Sequence, residues 1–151
     1  MLLRRALLPA ALATLAAPAV ITAARAQPRP GPPHAWVFGT WTGGIFPAVD
    51  TEGPGCFGNP IVIFTRDVVL RAASLDVAYR QRFIETVAVT PDGLEFRFVP
   101  VQMPGGRMPP EIGFGCEGNP NLLRVVRQSD NEIAFPNCTD FPATLRRCTT
   151  G

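Results

Sequence analysis

The stretch Gln81-Arg82-Phe83-Ile84-Glu85-Thr86-Val87-Ala88-Val89-Thr90-Pro91-Asp92-Gly93-Leu94-Glu95-Phe96-Arg97-Phe98-Val99 reads as two strands joined by a tight turn. Thr90-Pro91-Asp92-Gly93 supplies the turn chemistry, with Pro early, where its fixed φ suits the bend, and Gly late, where a positive φ is wanted. Val87 and Val89 should then face Phe96 and Leu94 across the hairpin.

The same character recurs on both sides of this hairpin. Residues 35–42, 60–72, 77–90, 94–100, 121–127 and 131–137 are rich in Val, Ile, Phe and Thr and are separated by turn residues, and 143–148 offers a last short strand. A second hairpin is expected around Ser129-Asp130-Asn131. After residue 26 the chain carries 15 Pro and 14 Gly and has no helix-period segment of useful length, which excludes a helical bundle. The expected fold is all-β: a small antiparallel barrel or sandwich of about seven or eight strands, stapled by disulfides. Trp41, Ile63, Phe64, Phe83, Val87, Phe96, Phe98, Val125 and Phe135 are the expected core, with the register at Ile63 and Phe64 left open. Residues 101–120 break the rhythm. Met103-Pro104-Gly105-Gly106-Arg107-Met108-Pro109-Pro110 suits neither a helix nor a central strand, so a long surface loop is expected there. Its Met103, Arg107 and Met108 are candidate contacts for a ligand or partner, and a plain tether between two groups of strands is the alternative.

Phe38-Gly39-Thr40-Trp41-Thr42-Gly43-Gly44 opens the folded part. A Gly lets the chain approach another backbone, and a Trp two residues later buries a large apolar surface with one N–H to satisfy. This Gly-x-Trp resembles the first strand of lipocalins and other calycins. With Phe46-Pro47 following, it is also similar to the opening of nitrobindin-like barrels. The resemblance is confined to this first strand. It implies a small β-barrel in which Trp41 closes one end and packs on neighbouring strands. A ligand cavity of the lipocalin kind is one implication, and an interior filled by its own side chains is the alternative. Haem binding in the nitrobindin manner would need a late His, and none follows His34.

The first 26 residues read as an export signal: a short basic start at Arg4-Arg5, an apolar run from 6 to 24, and Ala24-Arg25-Ala26 as the cleavage site. Arg4-Arg5 fits either a general secretion signal or a twin-arginine signal. Residues 27–33, Gln-Pro-Arg-Pro-Gly-Pro-Pro, form a Pro-rich linker, and 34–151 a single β domain. No later stretch is long and apolar enough to span a membrane once the signal is removed. The chain has 14 basic residues, all Arg, against 12 acids. Three of those arginines lie in the signal, so the exported part is close to neutral, which excludes charge-driven nucleic-acid binding.

All four cysteines, Cys56, Cys116, Cys138 and Cys148, fall in the exported part, where an even count reads as two disulfides. No C-x-x-C pair occurs, and the one His stands in the Pro-rich arm, so neither zinc nor another metal is expected. Gly55-Cys56-Phe57-Gly58-Asn59-Pro60 and Gly115-Cys116-Glu117-Gly118-Asn119-Pro120 form a short repeat, each leading into a strand. Gly-Asn-Pro is a strand-launching turn and the Cys a staple. The repeat suggests pairing Cys56 with Cys116 and Cys138 with Cys148. Cys116 and Cys138 also flank a hairpin and could approach each other.

Catalytic chemistry has little to work with: one His in the arm, no Lys, and Ser only at Ser74 and Ser129. Glu85 sits among Arg80, Arg82 and Arg97, which suggests ion pairs on a solvated face. No catalytic residue and no cofactor are assigned. The expected function is a periplasmic or secreted non-enzymatic binding module for an apolar small molecule or a protein partner. The alternative is a small inhibitor or envelope-associated structural protein acting through an exposed segment, 27–33 or 101–115. The intact mass of protein from the cell envelope should correspond to a chain starting at Gln27. A species that retains Met1 to Ala26 would contradict the cleavage reading.

Overall fold

The computed structural model describes residues 31–57, 60–72, 80–101, 113–114 and 116–149. The expected export signal, residues 27–30 of the expected linker, and Met103, Arg107 and Met108 lie outside the described residues. The chain forms a 3-10 turn at Ala35–Val37 followed by β1 (Gly39–Gly43), a single helical turn α1 (Gly53–Cys56), β2 (Ile61–Phe64), β3 (Val68–Ala72), β4 (Arg80–Thr90), β5 (Gly93–Phe98), β6 (Leu122–Arg127), β7 (Glu132–Ala134) and β8 (Leu145–Arg147). Each strand pairs antiparallel with the next, and β1 pairs with β8, so the sheet closes into an eight-stranded barrel. Closure leaves no free sheet edge, which removes the hazard that short Val- and Phe-rich strands would otherwise present. No described helix is long and apolar enough to cross a membrane.

The long hairpin sits as expected, with Val87 opposite Phe96 and Val89 opposite Leu94. Gly93, however, does not adopt a positive φ. Glycine is needed there because a Cβ would collide with the Val125 carbonyl of the neighbouring strand β6. The expected single strand over 60–72 is instead two. Thr65-Arg66-Asp67 folds back, with the Thr65 hydroxyl accepting from the Val68 N–H and donating to the Val68 carbonyl. That turn raises the strand count from seven to eight.

The core expectation fails at Phe83, which is 54% exposed. The cause is a β-bulge between Ile84 and Thr86, two steps on β4 for one on β5. Side chains alternate across a strand, so one extra residue reverses which parity faces inward. Beyond the bulge Val87 turns in with Phe96. Before it, Arg82 and Ile84 occupy the inward positions and Phe83 points out. Ile63 also lies on the outer parity, while Phe64 is buried.

The interior is filled by Val62, Phe64, Val69, Leu94, Phe96, Phe98, Leu123, Val125, Ile133 and Leu145, all buried. Aromatic rings run through it in continuous contact. Phe64 meets Phe96 at 5.4 Å, Phe98 meets Phe114 at 5.9 Å, and Phe114 meets Phe135 at 5.8 Å. Phe114 comes from the stretch expected to be a surface loop. Phe114 thus packs its ring in the core, while Glu117, Gly118, Asn119 and Pro120 stay exposed.

The disulfides correct the expected pairing: Cys56 bonds Cys148, and Cys116 bonds Cys138. The two copies of Gly-Cys-x-Gly-Asn-Pro therefore do not form the two halves of one bridge: Cys56 lies in the helical turn α1 and Cys116 in a β-bridge to Cys138. Cys116 and Cys138 are also paired by a backbone bridge at the flanks of the β6–β7 hairpin. Cys56 is brought to Cys148 by a second connection, in which Thr149 donates to the Thr51 carbonyl at 2.9 Å and Gly53 to the Thr149 carbonyl at 3.1 Å. Two disulfides are compatible with an oxidising compartment outside the cytoplasm. The first closes a sequence separation of 92 residues and the second one of 22. In the chain-entropy model these closures are worth about 4.6 and about 3.4 kcal/mol. Replacing Cys56 and Cys148 with Ala should therefore lower the urea midpoint more than replacing Cys116 and Cys138, and equal midpoints would show that strain or residual structure outweighs loop length.

Candidate functional site

Three turns, β2–β3, β4–β5 and β6–β7, share one end of the barrel with the start of β1. There the 3-10 turn closes the barrel mouth. Trp41, fully buried, donates its indole N–H to the Val37 carbonyl at 2.8 Å. Arg147, opposite Trp41 in the β1–β8 ladder, lies over the indole ring at 4.2 Å. Its Nη1 donates to the Phe38 carbonyl at 2.7 Å and its Nη2 to the Trp36 carbonyl at 2.6 Å. Gly39 makes this possible: it adopts a φ of +114°, and a Cβ there would stand 3.4 Å from Nη1 of Arg147. Trp41 is thus buried between the first strand, the last strand and the 3-10 turn.

His34 belongs to this plug and not to a loose arm. It is buried, its Nε2 lies 2.9 Å from the Arg66 carbonyl, and its ring meets Phe38 and Phe96 edge-on. The same end carries Asp92, whose carboxylate receives both Nη2 contacts of Arg124, at 3.0 and 2.8 Å, and the Thr90 hydroxyl at 3.0 Å. The hydrogen bond from Arg124, then that from Thr90, holds the Asp92 carboxyl below the usual range. A carboxylate so depressed adds stability above its unfolded value and loses it as the pH falls through its folded one.

The opposite end is built differently. Phe135 and Phe141 pack at 5.5 Å, and Arg71 reaches over Phe141 to Asp140 at 2.9 Å and to the Gly113 carbonyl at 2.6 Å. A cleft of about 380 Å³ runs past Phe135, Cys138 and Phe141. A second cleft, of about 390 Å³, lies where β4 extends past its pairing with β5. It is lined by Arg80, Gln81, Arg82, Phe83, Val99, Pro100 and Val101. Phe83 and Val99, the latter 45% exposed, are bonded through the Val99 N–H and the Phe83 carbonyl at 2.9 Å.

Arg82 is the residue that the sequence reading misplaced. It does not join Glu85 on a solvated face; the bulge leaves Glu85 outside and turns Arg82 in, 2% exposed. Its Nη1 donates to the Pro120 carbonyl at 3.0 Å, and its Nη2 to Asn121 Oδ1 at 2.6 Å and to the Val99 carbonyl at 3.4 Å. The guanidinium carbon lies 4.9 Å from the Phe98 ring centre. Its Nε–H has no acceptor among the described residues. Burial lowers its pKa, since a buried cation loses hydration. A signal was present in the sequence: Arg80 and Arg82 are in phase with Ile84, and a bulge would have been needed to keep Val87 in as well.

Of the sequence candidates, Trp41 and the four cysteines take structural roles in the described fold. Among the described residues no three His, Cys, Asp or Glu side chains gather as a metal site. Comparison with family models, with curated proteins and with solved structures gives no match. Replacing Trp41 with Ala should cost about 3–5 kcal/mol in urea unfolding; a loss below about 1 kcal/mol would mean that the 3-10 turn holds the barrel end without it.

Proposed function

We propose that this chain is an exported, non-enzymatic, lipocalin-like barrel that binds an apolar small molecule on its outer wall rather than inside the barrel. The observation that carries this reading is the contrast between the two surfaces of the sheet. The inner one is occupied by packed side chains, while Phe83 and Val99 stand exposed beside a cleft of about 390 Å³. Small-molecule clefts span roughly 300–1,000 Å³ and combine apolar walls with a few polar groups. Val68, opposite Phe83 on β3, extends the apolar wall. The two disulfides favour the periplasm or the exterior as its compartment. The burial of His34 at the opposite end, bonded to a backbone carbonyl, favours binding over acid–base catalysis.

A second reading, a small inhibitor or envelope-associated protein, draws on the loop between β1 and β2. Phe46, Val49 and Phe57 are all exposed there, on a segment clamped by the Cys56–Cys148 bond. A rigid loop with exposed apolar groups suits a protein partner.

A neutral naphthylamine fluorophore separates the two. It should bind the folded protein, and Phe83→Ser with Val99→Ser, both at exposed positions, should weaken binding at least tenfold without moving the melting temperature. Unchanged binding in that double variant, with loss in Phe46→Ser, would favour the loop and overturn the cleft reading.

A further inference from the structure

We infer that this chain is a substrate of a thiol–disulfide isomerase, which it needs in order to exchange Cys56–Cys116 and Cys138–Cys148 bonds for the pairs of the folded barrel. The inference concerns how the protein reaches its fold and stands apart from the binding readings above.

The four cysteines follow one another as Cys56, Cys116, Cys138 and Cys148. The folded barrel joins the first to the last and the second to the third, a nested pattern. An unfolded chain favours consecutive pairing instead. Consecutive pairs are separated by 60 and 10 residues, against 92 and 22 for the pairs of the barrel. Contact within a flexible chain falls as about the −1.5 power of separation, so consecutive pairing is favoured by about sixfold. Order of arrival adds to this bias, because a chain threaded into an oxidising compartment from its N-terminus presents Cys56 and Cys116 first.

Consecutive pairing and the closed barrel exclude one another. Cys148 follows β8 and donates its N–H to the Thr40 carbonyl at 2.8 Å, near the plugged end. Cys138 precedes β8 and lines the cleft at the opposite end. A disulfide holds its Cα atoms within about 7 Å, whereas the three extended residues of β8 rise about 10 Å. A Cys138–Cys148 bond therefore keeps β8 from lying extended between β7 and β1, and the sheet stays open. Cys56 is held at Cys148 and Cys116 at Cys138, so a Cys56–Cys116 bond meets the same obstacle.

Such a chain has no means of correcting itself. Disulfide exchange begins with a thiolate, and all four cysteines of the sequence are then oxidised. An external thiolate is required. The isomerase thiolate attacks Cys116, forming a mixed disulfide and releasing the Cys56 thiolate. That thiolate attacks Cys148, forming Cys56–Cys148 and releasing the Cys138 thiolate. Cys138 then attacks Cys116, forming Cys116–Cys138 and returning the isomerase thiolate. Each step makes one S–S bond and breaks one, with no net oxidation.

The test uses the full exported chain, reduced in urea, oxidised there with diamide and returned to native buffer. Peptide mapping should find Cys56 joined to Cys116 and Cys138 to Cys148 in most molecules. A catalytic amount of reduced protein disulfide isomerase should convert these to the barrel pairs at least about tenfold faster than buffer alone. Isomerase with alkylated active-site thiols should not. Cys116→Ser with Cys138→Ser leaves one possible bond, so oxidation of that variant should be independent of isomerase. Should the variant not fold, isomerase whose second active-site cysteine is Ser gives a readout in the unaltered chain: mass spectrometry should find it bonded to one of the four cysteines. Barrel pairs recovered as fast in buffer alone, or no trapped adduct, would overturn the inference. Isomerase dependence that persists in the two-cysteine variant would also overturn it, by making the isomerase a chaperone here rather than a catalyst of exchange.

Discussion

The contact between Arg147 and Trp41 holds the first strand to the last. A meander of eight short strands becomes a barrel only when β1 finds β8, and that pairing spans three residue pairs. So short a ladder is weak by itself. Arg147 strengthens it by covering the indole face and by bonding the Phe38 and Trp36 carbonyls of the turn that plugs the barrel mouth. One side chain thereby joins the final strand, the first strand and the closing turn. Arg127, over the Trp36 ring at 4.8 Å, adds β6 to the same assembly. The Cys56–Cys148 bond lies one residue beyond Arg147 and fixes the same end of β8 covalently.

Among the described residues the barrel interior is occupied by packed side chains, several of them aromatic rings. The proposed binding is therefore assigned to the outer wall. The bulge in β4 is what equips that outside. It sends Phe83 outward and draws Arg82 inward. Bulges commonly re-aim side chains in this way near functional surfaces.

The paired arginines of the outer surface and the buried Arg82 also differ in consequence. Exposed pairs such as Arg127 with Asp130 contribute little to stability, being screened by water and salt. Arg82 lies where screening is weak, so burial of its charge has a larger effect and lowers its pKa.

The sequence by itself determined the all-β class, the long hairpin and its cross-strand partners, the oxidised state of the four cysteines and the burial of Trp41. Each follows from local rules: strand composition, turn residues, cysteine parity and the size of an indole that must be buried. Tertiary structure alone decided what depends on register and on distant meetings. The bulge reversed the facing of Arg82 and Phe83, which alternation along β4 could not reveal. The partner of Cys56 was decided by β1 and β8 closing the barrel, since 92 residues separate it from Cys148. His34 is buried beside the 3-10 turn, where the backbone carbonyl of Arg66 from another turn accepts its Nε2–H. These outcomes share one physical reason: a side chain's environment is set by the neighbours that closure brings to it, and those neighbours are far away along the chain.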